Sequence, residues 1–161
     1  MAQIPASYTR NRDRAIPGQI ADTTLYQIDG ACVVDDDGAN IPNGRFVSLL
    51  SVEPVQGHKV VALGAPASSV PFGVSVLSHA RSPAGYYEPA VAINVMRQGT
   101  IWVEADPALT DSQAAFGNAV TYDANGIVAN GAANAAANAR FTGEILPAAN
   151  GKRLVKILLV L

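Results

Sequence analysis

The chain has 161 residues and a formal net charge of −2. That length suits one domain able to bury about 70% of its unfolded surface, so stabilising disulfides or metals are not required. The slight acidity argues against nucleic acid as a direct partner. No apolar run approaches the roughly 18 residues of a membrane span, so we expect no membrane partner. Charged residues make up 15% of the chain, against about 25% in an average protein, which favours a protein that covers its surface by assembling.

The cysteine content and the first residues bear on the compartment. Cys32 is the only cysteine, which excludes an internal disulfide and fits a reducing compartment. Because it has no CxxC partner, we predict a small buried apolar role for it. The first ten residues lack the apolar core of a signal peptide.

Residues 1–23 are predicted to form an extended N-terminal arm, followed by a β body over residues 24–161. Pro5 and Pro17 fix φ and remove hydrogen-bond donors, and Gly18 offers a bend. The arm has almost no apolar periodicity, so we expect it to be ordered only where a partner holds it.

From Thr24 onward the apolar pattern alternates with a period of two, which predicts strands. A first strand is interrupted at Asp29-Gly30, and a loop of turn formers follows at 35–44. One hairpin is predicted to turn at Gln98-Gly99 and another at Asn125-Gly126. The predicted strand regions are 24–34, 45–53, 60–63, 71–80, 90–106, 118–130, 139–146 and 152–161.

The last predicted strand has two apolar faces. An exposed strand of this composition would be an aggregation site, so we predict burial on both faces. The two faces carry Val155, Ile157 and Leu159 on one side and Leu154, Leu158 and Val160 on the other.

Helix is predicted to be scarce. Residues 107–119 suit one short helix, with Thr110 or Asp111 as N-cap and Gly117 as its end. The Ala/Asn tract at 130–140 mixes a helix former with a helix breaker, and we interpret it as a loop with one helical turn. The chain is therefore predicted to be mainly β.

Candidate catalytic and metal sites are weak. Asp35, Asp36 and Asp37 are adjacent, whereas a calcium loop spaces its acids and ends on a glutamate, so a turn is the better interpretation. His58 and His79 have no recognisable metal-ligand companions. No nucleophile or phosphate-binding motif is present, and we predict no enzymatic activity, no cofactor and no metal.

The arm carries the best candidate contact residues. Arg10, Arg12 and Arg14 alternate, so an extended backbone places them on one side, where they suit an acidic protein groove. Ordering some twenty residues costs on the order of 20–40 kcal/mol, while burying the four large apolar side chains returns only about 6–12 kcal/mol. An ordered arm therefore also needs backbone partners. The residues of the arm predicted to contact a partner protein or a neighbouring subunit are Tyr8, Arg10, Arg12, Arg14, Ile16, Pro17 and Ile20.

Taken together, the sequence resembles the structural cement, or capsid decoration, proteins of tailed bacteriophages. The resemblance lies in the kinds of segments and in their order along most of the chain. The Ala/Asn tract does not match it. It is carried by "IPGQIAD", "PFGVSV", "GTIWVEAD", "GNAVTYDANGIV" and "ARFTGEILPAANGKRLVKILLVL".

The resemblance implies a compact β-barrel-like or β-sandwich body. It also implies a homotrimer on the outer surface of the expanded head, binding the major capsid protein where capsomers meet and stabilising the shell. Synthesis is then expected in the bacterial host cytoplasm. The family has no shared catalytic residues to carry over.

Two other functions stay open on the sequence alone. The first is another virion β module, such as a tail-tube, head-completion or fibre-base protein. The second is a host-glycan-binding surface module that uses Trp102 or Tyr86-Tyr87, although aromatic residues in or beside strands are more often part of the core.

Overall fold

The computed structural model describes residues 15–23, 25–67, 69–80, 82–132, 134–147 and 153–160. These residues form strands and turns, with no helix among them, and therefore none that could cross a membrane. The ten strands are β1 Gln27–Val34, β2 Ile41–Pro42, β3 Phe46–Val52, β4 Lys59–Leu63, β5 Val70–Ser75, β6 Tyr86–Tyr87, β7 Ala92–Ala105, β8 Ala119–Tyr122, β9 Asn134–Pro147 and β10 Arg153–Leu159.

Five of the strands close into a barrel. They follow the order β1-β4-β3-β5-β7, and β1 pairs back onto β7. The prediction of a mainly β, barrel-like body with little helix is confirmed. β2 and β6 form a separate two-stranded ladder.

Strand β7 belongs to the barrel and to a second sheet. Its first half pairs with β1 and β5, while its second half, Gly99 to Ala105, pairs with β10, which continues into β9 and β8. The predicted hairpin turn at Gln98-Gly99 is therefore wrong. Gly99 has a φ of 112°, and a Cβ there would lie 2.8 Å from the Cβ of Tyr26. Gly99 allows the chain at Leu25 and Tyr26 to pass close to β7, and β7 does not reverse direction there.

Two buried clusters correspond to these two parts. One fills the barrel and includes Val47, Val61 and Ile93. The larger one lies between the outer wall of the barrel and the inner face of the second sheet. There Phe46 of β3 stacks on Tyr122 of β8, with ring centroids 4.5 Å apart.

Two shorter sequence signals are confirmed. β1 has a register shift between Asp29 and Cys32, at the predicted interruption. Gly126 has a φ of 71°, and its amide donates to the Asp123 carbonyl oxygen in the predicted turn.

The predicted helix at 107–119 is wrong. Thr110 does act as a cap, since its Oγ1 accepts the Gln113 amide at 3.4 Å, and its carbonyl oxygen accepts the Ala114 amide at 3.1 Å. The chain then turns away, because the Gly117 amide donates to the carbonyl oxygen of Phe141 in β9. Tertiary pairing ends the helical turn before a second one can form.

The interpretation of the Ala/Asn tract as a loop is also wrong. Residues 134–140 open the long strand β9, which pairs with β8 on one side and β10 on the other. Two neighbouring ladders provide backbone partners, and these override the weak local preferences of alanine and asparagine.

Strand β10 is only partly buried on both faces. Val155, Ile157 and Leu159 are buried as predicted, and so is Leu154. On that second face, however, Leu158 is 39% exposed and Val160, just beyond the strand, is 47% exposed. The prediction of burial on both faces fails at these two positions.

Candidate functional site: the arm face

The end of the N-terminal arm lies on the edge of β7 as an extra strand-like segment. The Gly18 amide donates to the Trp102 carbonyl oxygen at 2.8 Å, and the Trp102 amide donates back to Gln19 at 3.0 Å. The Ala21 amide donates to Thr100 at 2.9 Å. The backbone of this part of the arm thus finds its partners on its own chain.

A close approach of two glycines fixes where the arm meets the body. Gly18 has a φ of +78°, and a Cβ there would lie 2.7 Å from the Leu77 amide nitrogen and 2.9 Å from that of Gly44. The Leu77 amide also donates to the Gly18 carbonyl oxygen at 2.9 Å. The bend expected at Gly18 is present, and only glycine fits it without a shift of backbone.

The docked arm extends the second sheet beyond β7, and we call the outer face of this sheet the arm face. Side chains alternate along strands, so β7 presents Thr100, Trp102 and Glu104 here. Their register partners in β10 are Leu158, Lys156 and Leu154. Ala15 and Ala21 pack with Trp102 and Leu154, and Trp102 is left only 8% exposed.

The arm face has a notch at each end of the docked segment. The first, the Asn43 notch, has a volume of about 270 Å³ and is lined by Ile16, Pro17, Pro42, Asn43, Leu77, Gly85 and Glu104. Asn43 is 5% exposed. Its Oδ1 atom is buried without a hydrogen-bond partner in the described part of the chain.

Glu104, which lines the Asn43 notch, belongs to a buried ion pair. Arg45 Nη2 lies 2.9 Å from Glu104 Oε2, and Arg45 Nη1 donates to the Asn125 carbonyl oxygen at 3.0 Å. The two charges compensate each other. The notch therefore suits an uncharged, largely apolar group better than a charged ligand.

The second, the Thr100 notch, lies where the docked segment leaves β7. It also has a volume of about 270 Å³ and is lined by Asp22, Leu25, Gln98, Gly99, Thr100, Leu158, Leu159 and Val160. The Thr100 Oγ1 atom is buried with no partner among the described residues. Each notch is thus lined by a residue with a buried polar atom that has no partner among the described residues.

Two of the three predicted contact residues that the structure describes lie on this surface. Ile16 is 39% exposed and forms a wall of the Asn43 notch together with Pro17. Ile20 is half-buried against the body's core and bridges Ile101. The remaining four predicted contacts, Tyr8, Arg10, Arg12 and Arg14, lie outside the described residues.

The other candidate residues are placed differently. Trp102 lies under the arm and Tyr87 is fully buried, with its hydroxyl donating to the Val76 carbonyl oxygen at 2.6 Å. Both aromatic side chains are therefore part of the core, and neither ring is exposed for binding a glycan. In the described ranges, His, Cys, Asp and Glu form no group of three that could hold a metal.

The barrel contains the one strongly perturbed thiol. Burial of Cys32, reinforced by the nearby charge of Asp29, raises the pKa of the thiol to about 12. The Asp29 carboxylate pairs with Lys59 Nζ at 2.7 Å. Burial acts to raise the pKa of Asp29, but hydrogen bonds from Lys59 and the Ala31 amide hold it below its usual value. This pair joins β1 to β4 in the barrel and lies outside the arm face.

Sequence reasoning missed Asn43, Thr100 and Leu25 as parts of a site. No pattern marks them, because the notches arise only when the arm docks on β7. The one available signal was the apolar second face of the last strand, which was interpreted as buried.

Comparison with known proteins places the chain in a family. No curated protein sequence matches it. A solved structure titled "The capsid of Myoviridae Phage XM1" contains a chain that is 17% identical, with 96% of each chain covered and a TM-score of 0.60, which shows a shared fold. The sequence model described as "Structural cement protein (E217 gp24/Pam3 gp6)" matches residues 4–160. The chain therefore belongs to the phage structural cement protein family.

Proposed function

We propose that this protein is a capsid decoration protein that binds the outer surface of the expanded head. In this proposal it sits as a homotrimer at junctions between capsomers of the major capsid protein and stabilises the shell without catalysing a reaction. The family match over nearly the whole chain supports the general role. The arm face supplies the surface for the specific one.

The observation that carries the proposal is the exposed Asn43 notch at the root of the arm. Ile16 and Pro17 form its wall, and the arm continues from them toward the N-terminus. The apolar walls of the notch fit an aliphatic side chain from a chain segment that crosses it. A segment of the capsid protein that crosses this point contacts the body and the arm together.

The mechanism is added contact area across joints of the shell. Arg10, Arg12 and Arg14 suit carboxylates on the capsid surface, and such contacts weaken as salt screens them. Each copy contributes a modest contact, and three linked copies strengthen one another by effective concentration. Resistance to outward pressure then follows from many weak joints rather than from one strong bond.

The test is co-sedimentation of the purified protein with expanded, undecorated heads, with unexpanded procapsids as the control. Saturable binding to expanded heads alone is expected, and the saturation level counts the sites. Binding to neither particle would refute the proposal and favour a tail or other virion role.

Two variants examine the arm face within that assay. Removing residues 1–14 and replacing Ile16→Asp should each weaken binding by about tenfold or more, which corresponds to ~1.4 kcal/mol. Val55→Asp is the matched control, because Val55 is 87% exposed in the turn between β3 and β4, outside the arm face. Equal loss in all three would indicate a non-specific effect of charge.

A further inference from the structure

The tripeptide Ala-Asn-Gly occurs three times in the chain, with its asparagine at Asn125, Asn130 and Asn150. An asparagine that precedes glycine is chemically labile, because no Cβ hinders the glycine nitrogen as it approaches the side-chain amide. Since the three tripeptides are identical, differences in their reactivity arise chiefly from the fold. Asn150 lies outside the described residues. A fourth Asn-Gly pair, Asn43-Gly44, follows a proline.

We propose that Asn130 is a site of spontaneous deamidation in the folded protein, and that the fold protects Asn125 and Asn43 from the same reaction. The inference rests on the exposure and the hydrogen bonds of these Asn-Gly pairs. It is independent of the proposed function, because neither the reaction nor the protection involves a partner molecule.

The reaction uses only the chain and water. The backbone nitrogen of Gly131 loses its proton to solvent and attacks the side-chain carbonyl carbon of Asn130, and the side-chain nitrogen leaves as ammonia. The resulting five-membered succinimide is then opened by a water molecule at one of its two carbonyl carbons. Opening at the side-chain carbonyl gives aspartate, whereas opening at the main-chain carbonyl gives isoaspartate, in which the backbone runs through the β-carbon.

The turn at Asn130-Gly131 leaves this attack open. Both residues are exposed, and Gly131 has a φ of +67° with nothing within 4 Å of an added Cβ. In the described part of the chain, no backbone hydrogen bond holds the Gly131 amide. The glycine nitrogen therefore reaches the side-chain carbonyl carbon by rotation within an exposed turn, without displacing a neighbouring group.

The same tripeptide at Asn125 is held in place. The Gly126 amide donates to the Asp123 carbonyl oxygen at 3.0 Å, and the Phe46 amide donates to the Gly126 carbonyl oxygen at 3.0 Å. Gly126 is buried, and a Cβ there would lie 2.5 Å from the Phe46 carbonyl oxygen. Attack by the Gly126 nitrogen has to break these contacts first, so deamidation of Asn125 depends on a local opening of the structure.

The pair Asn43-Gly44 is protected in a similar way. Asn43 is buried. The Gly44 amide donates to the Ser75 carbonyl oxygen at 2.9 Å, and the Glu104 amide donates to the Gly44 carbonyl oxygen at 3.1 Å. Attack by the Gly44 nitrogen therefore also requires a local opening.

The modified turn is short, so the change in the backbone stays local. On one side the Ala129 amide donates to the Thr121 carbonyl oxygen at 3.0 Å, and on the other the Asn134 side-chain amide donates to the Tyr122 carbonyl oxygen at 3.2 Å. The fold should therefore survive the reaction. The product adds one negative charge to a chain whose formal net charge is −2, so isoelectric focusing separates it from the original protein.

Peptide mapping by mass spectrometry is the first test, because it follows each Asn-Gly pair separately. The folded protein is incubated at pH 8, beside a sample in guanidinium chloride whose rate sets the length of the experiment. In the folded sample Asn130 should convert at least about tenfold faster than Asn125 or Asn43, which corresponds to ~1.4 kcal/mol of opening free energy. In guanidinium chloride the rates at Asn125 and Asn130 should become equal, because the tripeptides are identical.

Isoelectric focusing of variants gives an independent measurement. The variants are made in an Asn150→Gln background, which removes the Asn-Gly pair that the structure does not describe. In that background the folded protein should accumulate one main acidic species. Asn130→Gln should remove this species, because the longer side chain would have to close a six-membered ring. Asn125→Gln is the matched control, and the acidic species should form in it at the original rate.

Three results would overturn the inference. The first is equal conversion of Asn125 and Asn130 in the folded protein. The second is an Asn130 side chain that stays intact while the denatured sample reacts to completion. The third is an acidic species that forms in Asn130→Gln as fast as in its parent. Faster conversion of Asn130 in the folded protein, lost on denaturation, supports the assignment whether or not the protein binds heads.

Discussion

Replacing Gly18 by alanine tests how the arm is fixed to the body. The residue has a φ of +78°, and the new Cβ would meet three backbone atoms at 2.7, 2.9 and 3.0 Å. A positive φ costs a non-glycine residue roughly 1–2 kcal/mol, and forcing an atom into packed surroundings costs about 1–3 kcal/mol more. Gly57→Ala is the matched control, because Gly57 has a φ of +73° but nothing within 4 Å of its added Cβ.

The chain carries its own reporter of this change. Trp102 is the only tryptophan, and it lies under Ala15 and Ala21 of the docked segment. In Gly18→Ala we expect the emission of Trp102 to shift to the red and to be quenched more strongly by acrylamide. We also expect its free energy of unfolding to be about 1–3 kcal/mol lower than that of Gly57→Ala, because both variants carry the cost of a positive φ and only Gly18→Ala adds a steric clash. Urea titrations give the second quantity. Equal stabilities in the two variants, with Trp102 still protected, would refute the account of the docked segment.

Three further predictions concern the body. Cys32 should resist alkylation at pH 8 in the folded protein and react on unfolding, as seen by mass spectrometry, because burial raises the pKa of its thiol to about 12. Asp29→Asn should destabilise the protein by about 1 kcal/mol near neutral pH. Since the pKa of Asp29 is lowered by folding, its contribution is present above the usual carboxyl pKa and should disappear in acid unfolding series as pH falls through the folded value. Arg45→Met should lower the free energy of unfolding in denaturant titrations by about 3–5 kcal/mol, because it breaks a buried pair with Glu104; an unchanged value would show that the pair is not holding the notch.

Strands were readable from sequence where apolar and β-branched residues cluster between turn formers. Phe46–Val52 and Val70–Ser75 lie in two such clusters, and both segments are strands. The turn at Asn125-Gly126 was readable because Gly126 adopts a positive φ there. These signals are local, so a single sequence carries them.

The errors came from contacts made across the sheet. Gln98-Gly99 has the composition of a turn, but Gly99 lies within a continuous strand because Tyr26 packs against its backbone. The Ala/Asn tract was misread because its partners in β8 and β10 are remote in sequence. No local propensity encodes either partner.

The site was predictable only in part, because it too depends on contacts between segments that are remote in sequence. Ile16 and Pro17 stood out because the arm breaks the period of the strands, and both lie on the arm face. Leu158 was assigned to the core because its strand is apolar throughout, although it is 39% exposed. Burial on the second face of a strand depends on what covers it, and the docked arm covers Leu154 but stops short of Leu158.

The continuity of β7 has a mechanical consequence. A strand of 14 residues spans about 46 Å at ~3.3 Å per residue. It is hydrogen-bonded along both of its edges, to the barrel in its first half and to β10 and the docked arm in its second. A pull applied along this strand loads many hydrogen bonds in shear at once, instead of opening them one after another from an end. Because β7 belongs to both the barrel and the second sheet, a force applied at the arm face is transmitted along this strand into the barrel.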